Sequence, residues 1–236
     1  MWLFWLVPYA IGMLMGIPDV IDSGYAVTLF CRPRRFGKTL NMTMMKAFFE
    51  MPPASDSACE DCAALFEGTE VWEADGGRYR QYQGAYPVVH VSFNTVKKFT
   101  WEDSFAAIRN VMALEYLRHD YLRASGALGA DEEAYFSSVA GCKATQAELA
   151  DSLIRLCLML KAYHDVPVVV LIDEYDAPVM AGYTYGYYDD VVGFLKGWLT
   201  GALKDGGAAL WLACLTGVQR IAKEPIFSDL NNLTVS

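Results

Sequence analysis

Positively charged residues are scarce in this sequence. Its 236 residues include 19 lysines and arginines against 28 aspartates and glutamates, which gives a formal net charge of −9. A chain with this balance lacks the broad basic surface that general binding of nucleic acids requires. The few basic residues are nevertheless concentrated in one short segment that contains Arg32, Arg34, Arg35 and Lys38. The composition therefore leaves room for a small anion-binding pocket.

Charge is absent from the N-terminal segment, residues 1–18, which is almost wholly apolar. A secretory signal would need a basic start, and none is present. A membrane span needs roughly 20 apolar residues, whereas Pro8, Gly12 and Gly16 interrupt this run. We therefore favour a core-packing or wrongly assigned N-terminal segment over a membrane anchor.

The six cysteines do not indicate a disulfide framework, because a chain of this length does not need such staples. They are scattered, and Cys31, Cys157 and Cys214 lie in apolar runs typical of buried thiols. We expect a reduced, cytoplasmic protein with no membrane association.

Strands and helices are predicted to alternate along residues 19–236. Apolar runs predict strands at 26–31, 86–93, 167–172 and 208–215. Helical spacing follows at 38–49, after each of two capping boxes, and around 191–202. Two segments are predicted to be irregular: an insertion around 52–85 and a tyrosine- and glycine-rich loop over 182–188. This order predicts a three-layer α/β/α domain with a mainly parallel sheet.

Gly37-Lys38-Thr39 follows a predicted strand and a short basic loop, and it opens a predicted helix. This is the context of a phosphate-binding loop, in which glycine allows close backbone approach, lysine supplies charge and the threonine hydroxyl binds Mg²⁺. We expect Lys38 and the backbone from Gly37 to Leu40 to hold phosphate. The usual first glycine of the motif is replaced by Arg32.

The remaining loop residues admit two interpretations. Arg34 and Arg35 could form bidentate contacts with phosphate oxygens. They could equally pair with Asp176 or another carboxylate and serve the structure. We include Arg34, Arg35 and Phe36 in the predicted nucleotide site.

A second motif, Asp173-Glu174, ends the apolar run 168–172. In many ATPases an aspartate at this point holds Mg²⁺ and the following glutamate polarises the attacking water. Alone, the pair would be read as a polar strand end or a helix cap. Its combination with the loop favours metal binding by Asp173 and Thr39, with Glu174 as the catalytic residue.

A third element, Thr216, ends the predicted strand 208–215. In additional-strand ATPase folds the strand with the sensing residue lies between the strands that carry the first two motifs, so Thr216 would face the γ-phosphate. Arg220 could reach the same phosphates or the site of a neighbouring subunit. The alternative, a simple turn at Thr216-Gly217 with a solvated Arg220, is equally compatible with the sequence.

Four blocks of sequence resemble the AAA-ATPase-like family of bacterial and archaeal P-loop proteins. They start at Arg32 (RPRRFGKTLN), Leu171 (LIDEYDAP), Leu215 (LTGV) and Ile226 (IFSDLNNL). The resemblance runs from about Asp19 onwards and implies that the arginine-bearing loop is the usual family form. Relatives in this family usually continue into a nuclease-like domain of the restriction-endonuclease class. We expect nucleic-acid contacts only through such a domain, which this sequence does not include.

Together these features predict an ATP-binding P-loop domain that hydrolyses ATP with Mg²⁺ to drive or gate a conformational change. The alternative is a nucleotide-gated protein-interaction switch with little or no turnover, in which segment 182–188 faces the partner. A protein partner or a homo-oligomer is compatible with both hypotheses.

Overall fold

The computed structural model describes residues 16–51, 62–204, 207–218 and 233–235. Its centre is a five-stranded sheet with the order β2-β3-β4-β1-β5, and every pairing is parallel. The strands are β1 (Val27–Cys31), β2 (Val88–Ser92), β3 (Val168–Asp173), β4 (Leu210–Gly217) and β5 (Leu233–Val235). Because β4 lies between β1 and β3, the predicted additional-strand order is confirmed.

Helices connect the strands, and the connection from β2 to β3 is the longest. The helices are α1 (Ile17–Asp22), α2 (Lys38–Phe49), α3 (Glu70–Glu73), α4 (Trp101–Arg118), α5 (Tyr121–Ala124), α6 (Ala130–Ala140), α7 (Gln146–Ala150), α8 (Ser152–His164), α9 (Ala177–Tyr185) and α10 (Tyr188–Leu203). Short 3₁₀ turns cover Ala63–Leu65, Ala74–Tyr82 and Gly207–Ala209.

The central strand β3 is buried on both faces, as its continuous apolar sequence predicts. Val168, Val170 and Ile172 belong to one hydrophobic core, and Val169 and Leu171 to a second core on the opposite face. Alternation along a strand produces this separation, because successive side chains point to opposite sides of the sheet. The two cores confirm the predicted three-layer α/β/α architecture.

The first core contains residues of α4, α6, α8 and α10, whereas the second contains residues of α1 and α2. The segment predicted as an irregular insertion is described from residue 62 onwards and consists of short helical turns. It nevertheless contributes Phe66 and Tyr79 to the second core, where Phe66 packs edge-on against Phe48. The insertion therefore covers the outer side of α2.

The prediction of a loop over 182–188 is wrong for most of that segment, because α9 continues to Tyr185 and α10 begins at Tyr188. Gly182 of this segment allows two helices to pack closely. A Cβ added at Gly182 would come within 2.7 Å of Val191 Cγ1, so α9 and α10 approach closely at this point. Two tyrosines of the segment, Tyr183 and Tyr185, are exposed, whereas Tyr187 is buried in the first core.

Helix α4 closes the free edge of the sheet at β2. The backbone N–H of His90 donates to Glu115 Oε1 at 2.7 Å, and Arg118 donates to the carbonyl oxygen of Val88. Arg118 also binds Glu115 and Glu50. These two satisfied groups cannot pair with another strand, so the ion-pair cluster protects this part of the edge.

Of the apolar N-terminal segment, residues 1–15 lie outside the described residues, and Ile17 packs in the second core within α1. Among the described residues, no helix combines the length and the hydrophobicity that a membrane span requires.

Candidate functional site

The predicted phosphate-binding loop connects the end of β1 to the start of α2. Its backbone takes left-handed conformations at Arg35 (φ 71°) and Gly37 (φ 72°), whereas Arg32 does not. The ammonium of Lys38 is buried in the loop and donates to the carbonyl oxygens of Arg32 and Pro33, both at 2.9 Å. The lysine is thereby fixed beside the N-terminus of α2.

The other loop side chains face outwards. Arg34, Arg35 and Phe36 are all exposed, Phe36 by 54% of its surface. Within the described part of the chain, neither arginine forms an ion pair. Leu40 is half-buried in the first turn of α2. Both guanidinium groups are consequently available to an anion at the loop.

Asp173 joins the three predicted motifs. Its carboxylate is only 1% exposed and accepts one hydrogen bond from the Thr39 hydroxyl, at 2.7 Å, and one from the Thr216 hydroxyl. Thr39 comes from the phosphate loop and Thr216 from the end of β4. Side chains that are 43 and 134 positions from Asp173 in sequence therefore meet at the carboxyl edge of the sheet.

Glu174 leaves the strand in a left-handed backbone conformation, with φ 52°. Its backbone N–H points to the Thr216 hydroxyl at 3.4 Å, and its carboxylate binds Lys97 Nζ at 2.8 Å. Both side chains of this ion pair are partly exposed, at 29% for Glu174 and 48% for Lys97. Sequence reasoning missed Lys97, and the only signal for it was its place shortly after a predicted strand.

Two further residues at this edge were missed as site residues. Ser92 lies in register with Asp173 on the neighbouring strand, and its Oγ is buried without a hydrogen-bond partner among the described residues. Asp176 is 3% exposed and accepts a hydrogen bond from the Val218 N–H at 2.8 Å. The sequence had suggested Asp176 only as a partner for the loop arginines.

The oxygen atoms at this edge fit a magnesium ion. Mg²⁺ prefers hard oxygen ligands and is held by few protein groups together with waters and substrate phosphates. The Thr39 hydroxyl and the Asp173 carboxylate supply two such groups, and the unpartnered Ser92 hydroxyl could bind a nearby water. In the residues that the structure covers there is no cluster of three or more His, Cys, Asp or Glu side chains suited to a metal. A metal at this edge would therefore depend on added phosphate oxygens.

The predicted catalytic residue Arg220 lies outside the described residues. The other predicted residues fall into two groups: those of the loop, from Arg34 to Leu40, and those at the ends of β3 and β4. The Thr39–Asp173 hydrogen bond joins the two groups.

The chain is 28% identical over 206 residues to an "Uncharacterized protein in vnfD 5'region" from Azotobacter chroococcum mcd 1. The aligned region covers 86% of the chain and only 32% of that relative. No solved structure matches the chain. Residues 16–227 match the family described as Predicted AAA-ATPase, which is most of the sequence. The chain therefore belongs to the AAA-ATPase-like family.

Proposed function

We propose that this domain binds ATP together with Mg²⁺ and hydrolyses it. The observation that carries the proposal is the Asp173 carboxylate, which accepts hydrogen bonds from Thr39 and Thr216 beside the buried Lys38. An aspartate bonded to a loop threonine, which directly follows a loop lysine in the sequence, suits the binding of a nucleoside triphosphate at the edge of a parallel sheet.

In the proposed site, the loop and the start of α2 bind the phosphates. The first N–H groups of a helix have no partner within the helix, and here no side chain caps them and no acidic residue stands in the first turn. They favour an anion, as does the positive end of the helix dipole. Lys38 lies beside them, and the exposed Arg34 and Arg35 can add bidentate contacts.

Thr39 and Asp173 would hold Mg²⁺ through the hydroxyl and carboxylate oxygens. The ion would neutralise part of the charge on the phosphate oxygens. Thr216 positions Asp173 from the other side through its own hydroxyl, and it is our candidate for sensing the γ-phosphate.

Glu174 is the proposed residue that orients the attacking water. Its backbone N–H approaches Thr216, so its position is linked to the candidate sensor. Its carboxylate is bound to Lys97, and it must leave this ion pair before both oxygens can serve a water molecule. Because the pair is partly exposed, separating it costs at most about 1 kcal/mol.

The test compares two variants with the unmodified protein. We expect Lys38→Ala to abolish measurable ATP binding in calorimetry, because the loop loses its central charge. We expect Glu174→Gln to retain binding and to lower the rate of phosphate release by roughly 10²- to 10⁴-fold. Lys143→Ala, at an exposed lysine distant in sequence from these motifs, is the control and should match the unmodified protein. Unchanged hydrolysis by Glu174→Gln would refute the role of Glu174.

The Lys97–Glu174 ion pair favours a second candidate function, a nucleotide-gated interaction switch. Phe99 follows Lys97 in the same loop and packs on Tyr185 at a ring distance of 4.9 Å, and both aromatic side chains are exposed. A partner that contacts these rings would act close to the catalytic glutamate. Tight ATP binding with negligible phosphate release would support the switch, whereas steady turnover would support the ATPase.

A further inference from the structure

The end of β4 is bonded to both of the motifs on its flanks. The Arg32 N–H of the phosphate loop donates to the carbonyl oxygen of Gly217 at 3.1 Å. On the other side, the Tyr175 N–H donates to the carbonyl oxygen of Thr216 at 3.0 Å. Segment 216–218 thus forms a bridge between the loop and the turn that follows β3.

The side chain of Asp176 binds segment 216–218 and does not cap its own helix, which is uncommon for an aspartate at this position. It stands at the N-cap position of α9, where an aspartate usually accepts a hydrogen bond from the first turn of its own helix. Here the side chain makes no such bond. Its Oδ2 accepts the Val218 N–H at 2.8 Å instead, from the residue that follows β4. The carboxylate therefore links the start of α9 to the residue that follows β4.

Gly217 makes this contact possible because it leaves no side chain in the gap. A Cβ at this position would lie 2.6 Å from Tyr175 Cε1 and 3.0 Å from Asp176 Cγ. Tyr175 is fully buried and Asp176 nearly so, which means that neither can move aside easily. The approach of β4 to the β3–α9 turn is consequently tight, and small displacements would be transmitted.

We propose that Asp176 is a positioning residue for the hydrolysis of ATP. By fixing Val218, it holds the Thr216 hydroxyl on Asp173 and the Gly217 carbonyl against the phosphate loop. This inference rests on the proposed function and adds Asp176 to the residues that the proposed site needs. A misplacement of about 1 Å at such a site can lower a catalytic rate roughly 100-fold.

The experiment compares Asp176→Ala, which removes the acceptor, with Asp176→Asn, which retains an oxygen for the Val218 N–H. We expect Asp176→Ala to lower kcat roughly 10- to 100-fold while ATP affinity, measured by calorimetry with Mg²⁺, stays within about threefold of the unmodified protein. We expect Asp176→Asn to restore kcat to within about threefold. The control Thr145→Ala removes a true helix cap, at the start of α7, and should lower stability without changing kcat.

A kcat for folded Asp176→Ala that equals the unmodified value would overturn the inference, and so would Asp176→Asn that is as slow as Asp176→Ala. If Asp176→Ala does not fold, Gly217→Ala tests the same contact, because its Cβ would clash with Tyr175 and Asp176 and disturb the approach of β4 to the β3–α9 turn. We expect the same loss of kcat from that variant, and an unchanged kcat would refute the inference. Absence of ATP binding by the unmodified protein would instead refute the proposed function itself.

Discussion

Neutralising Glu115 should remove a large part of the stability of this domain in a pH-dependent way. The carboxylate is 6% exposed and lies at the edge of the sheet, where Oε1 accepts the His90 N–H. Arg118 binds it at 2.6 Å, and His119 Nε2 lies 3.4 Å from it. Glu115→Gln preserves the size of the side chain and one acceptor oxygen, and it removes the charge.

The magnitude follows from the pKa of Glu115. Burial alone would raise this pKa, but His119 and Arg118 outweigh burial and lower it from 4.5 to about 2. The difference, 4.5 minus about 2, corresponds to about 3 kcal/mol of unfolding free energy at pH 7. Because the folded-state pKa is the lower one, this stability is present above pH 4.5 and is lost as the pH falls towards 2. At pH 3 about 1 kcal/mol should remain.

Urea unfolding at pH 7 and pH 3, followed by far-UV circular dichroism, measures this difference. We expect Glu115→Gln to be less stable than the unmodified protein by about 3 kcal/mol at pH 7, and by about 1 kcal/mol at pH 3. Glu133→Gln, at an exposed carboxylate of α6, is the matched control and should stay within about 0.5 kcal/mol at both pH values. An equal loss at the two pH values would show that the charge of Glu115 does not stabilise the fold.

Two further predictions concern the site and the neighbouring strand. Thr216→Val removes the hydroxyl that bonds Asp173, so we expect turnover to fall at least about 10-fold with little change in ATP affinity. An unchanged steady-state rate would exclude Thr216 from the mechanism. Burial is the main cause of the lowered pKa of His90. As the pH falls below about 6.5, this histidine therefore takes up a proton more readily in the unfolded chain than in the folded protein. Stability measured in urea should therefore decrease from pH 7.5 to pH 5.5, and His90→Asn should reduce that slope. A slope that His90→Asn leaves intact would assign it to other groups, among them His164, whose pKa burial also lowers.

Local sequence signals were sufficient for the elements that carry the two principal motifs. The apolar run before the loop and the helical spacing after it predicted α2 with the bounds Lys38–Phe49 that the structure has. The strand order then brought Thr39, Asp173 and Thr216 together, because parallel strands place all their carboxyl ends at one edge. Spacing and topology were enough to predict this part of the site.

Contacts between distant segments could not be predicted in the same way. The Lys97–Glu174 and Asp176–Val218 contacts join segments 77 and 42 residues apart, and neither has a local pattern. The incorrect prediction of a loop over 182–188 has a related cause. Glycine is typical of turns, but Gly182 lies in α9, where the adjacent α10 leaves no room for a side chain. Tertiary packing overrode the local preference there.

The arginine-bearing loop illustrates how the fold compensates for a missing glycine. Pro33 has no N–H to offer a phosphate, and Arg32 uses its own N–H to bond the carbonyl of Gly217. The start of the loop therefore contributes carbonyl oxygens, which hold Lys38, instead of anion-binding donors. In the proposed site, the donors for a phosphate would come from the start of α2 and from the exposed arginine side chains. Because the Arg32–Gly217 bond also ties the loop to β4, the residue that replaces the glycine would link the proposed phosphate binding to the position of Thr216.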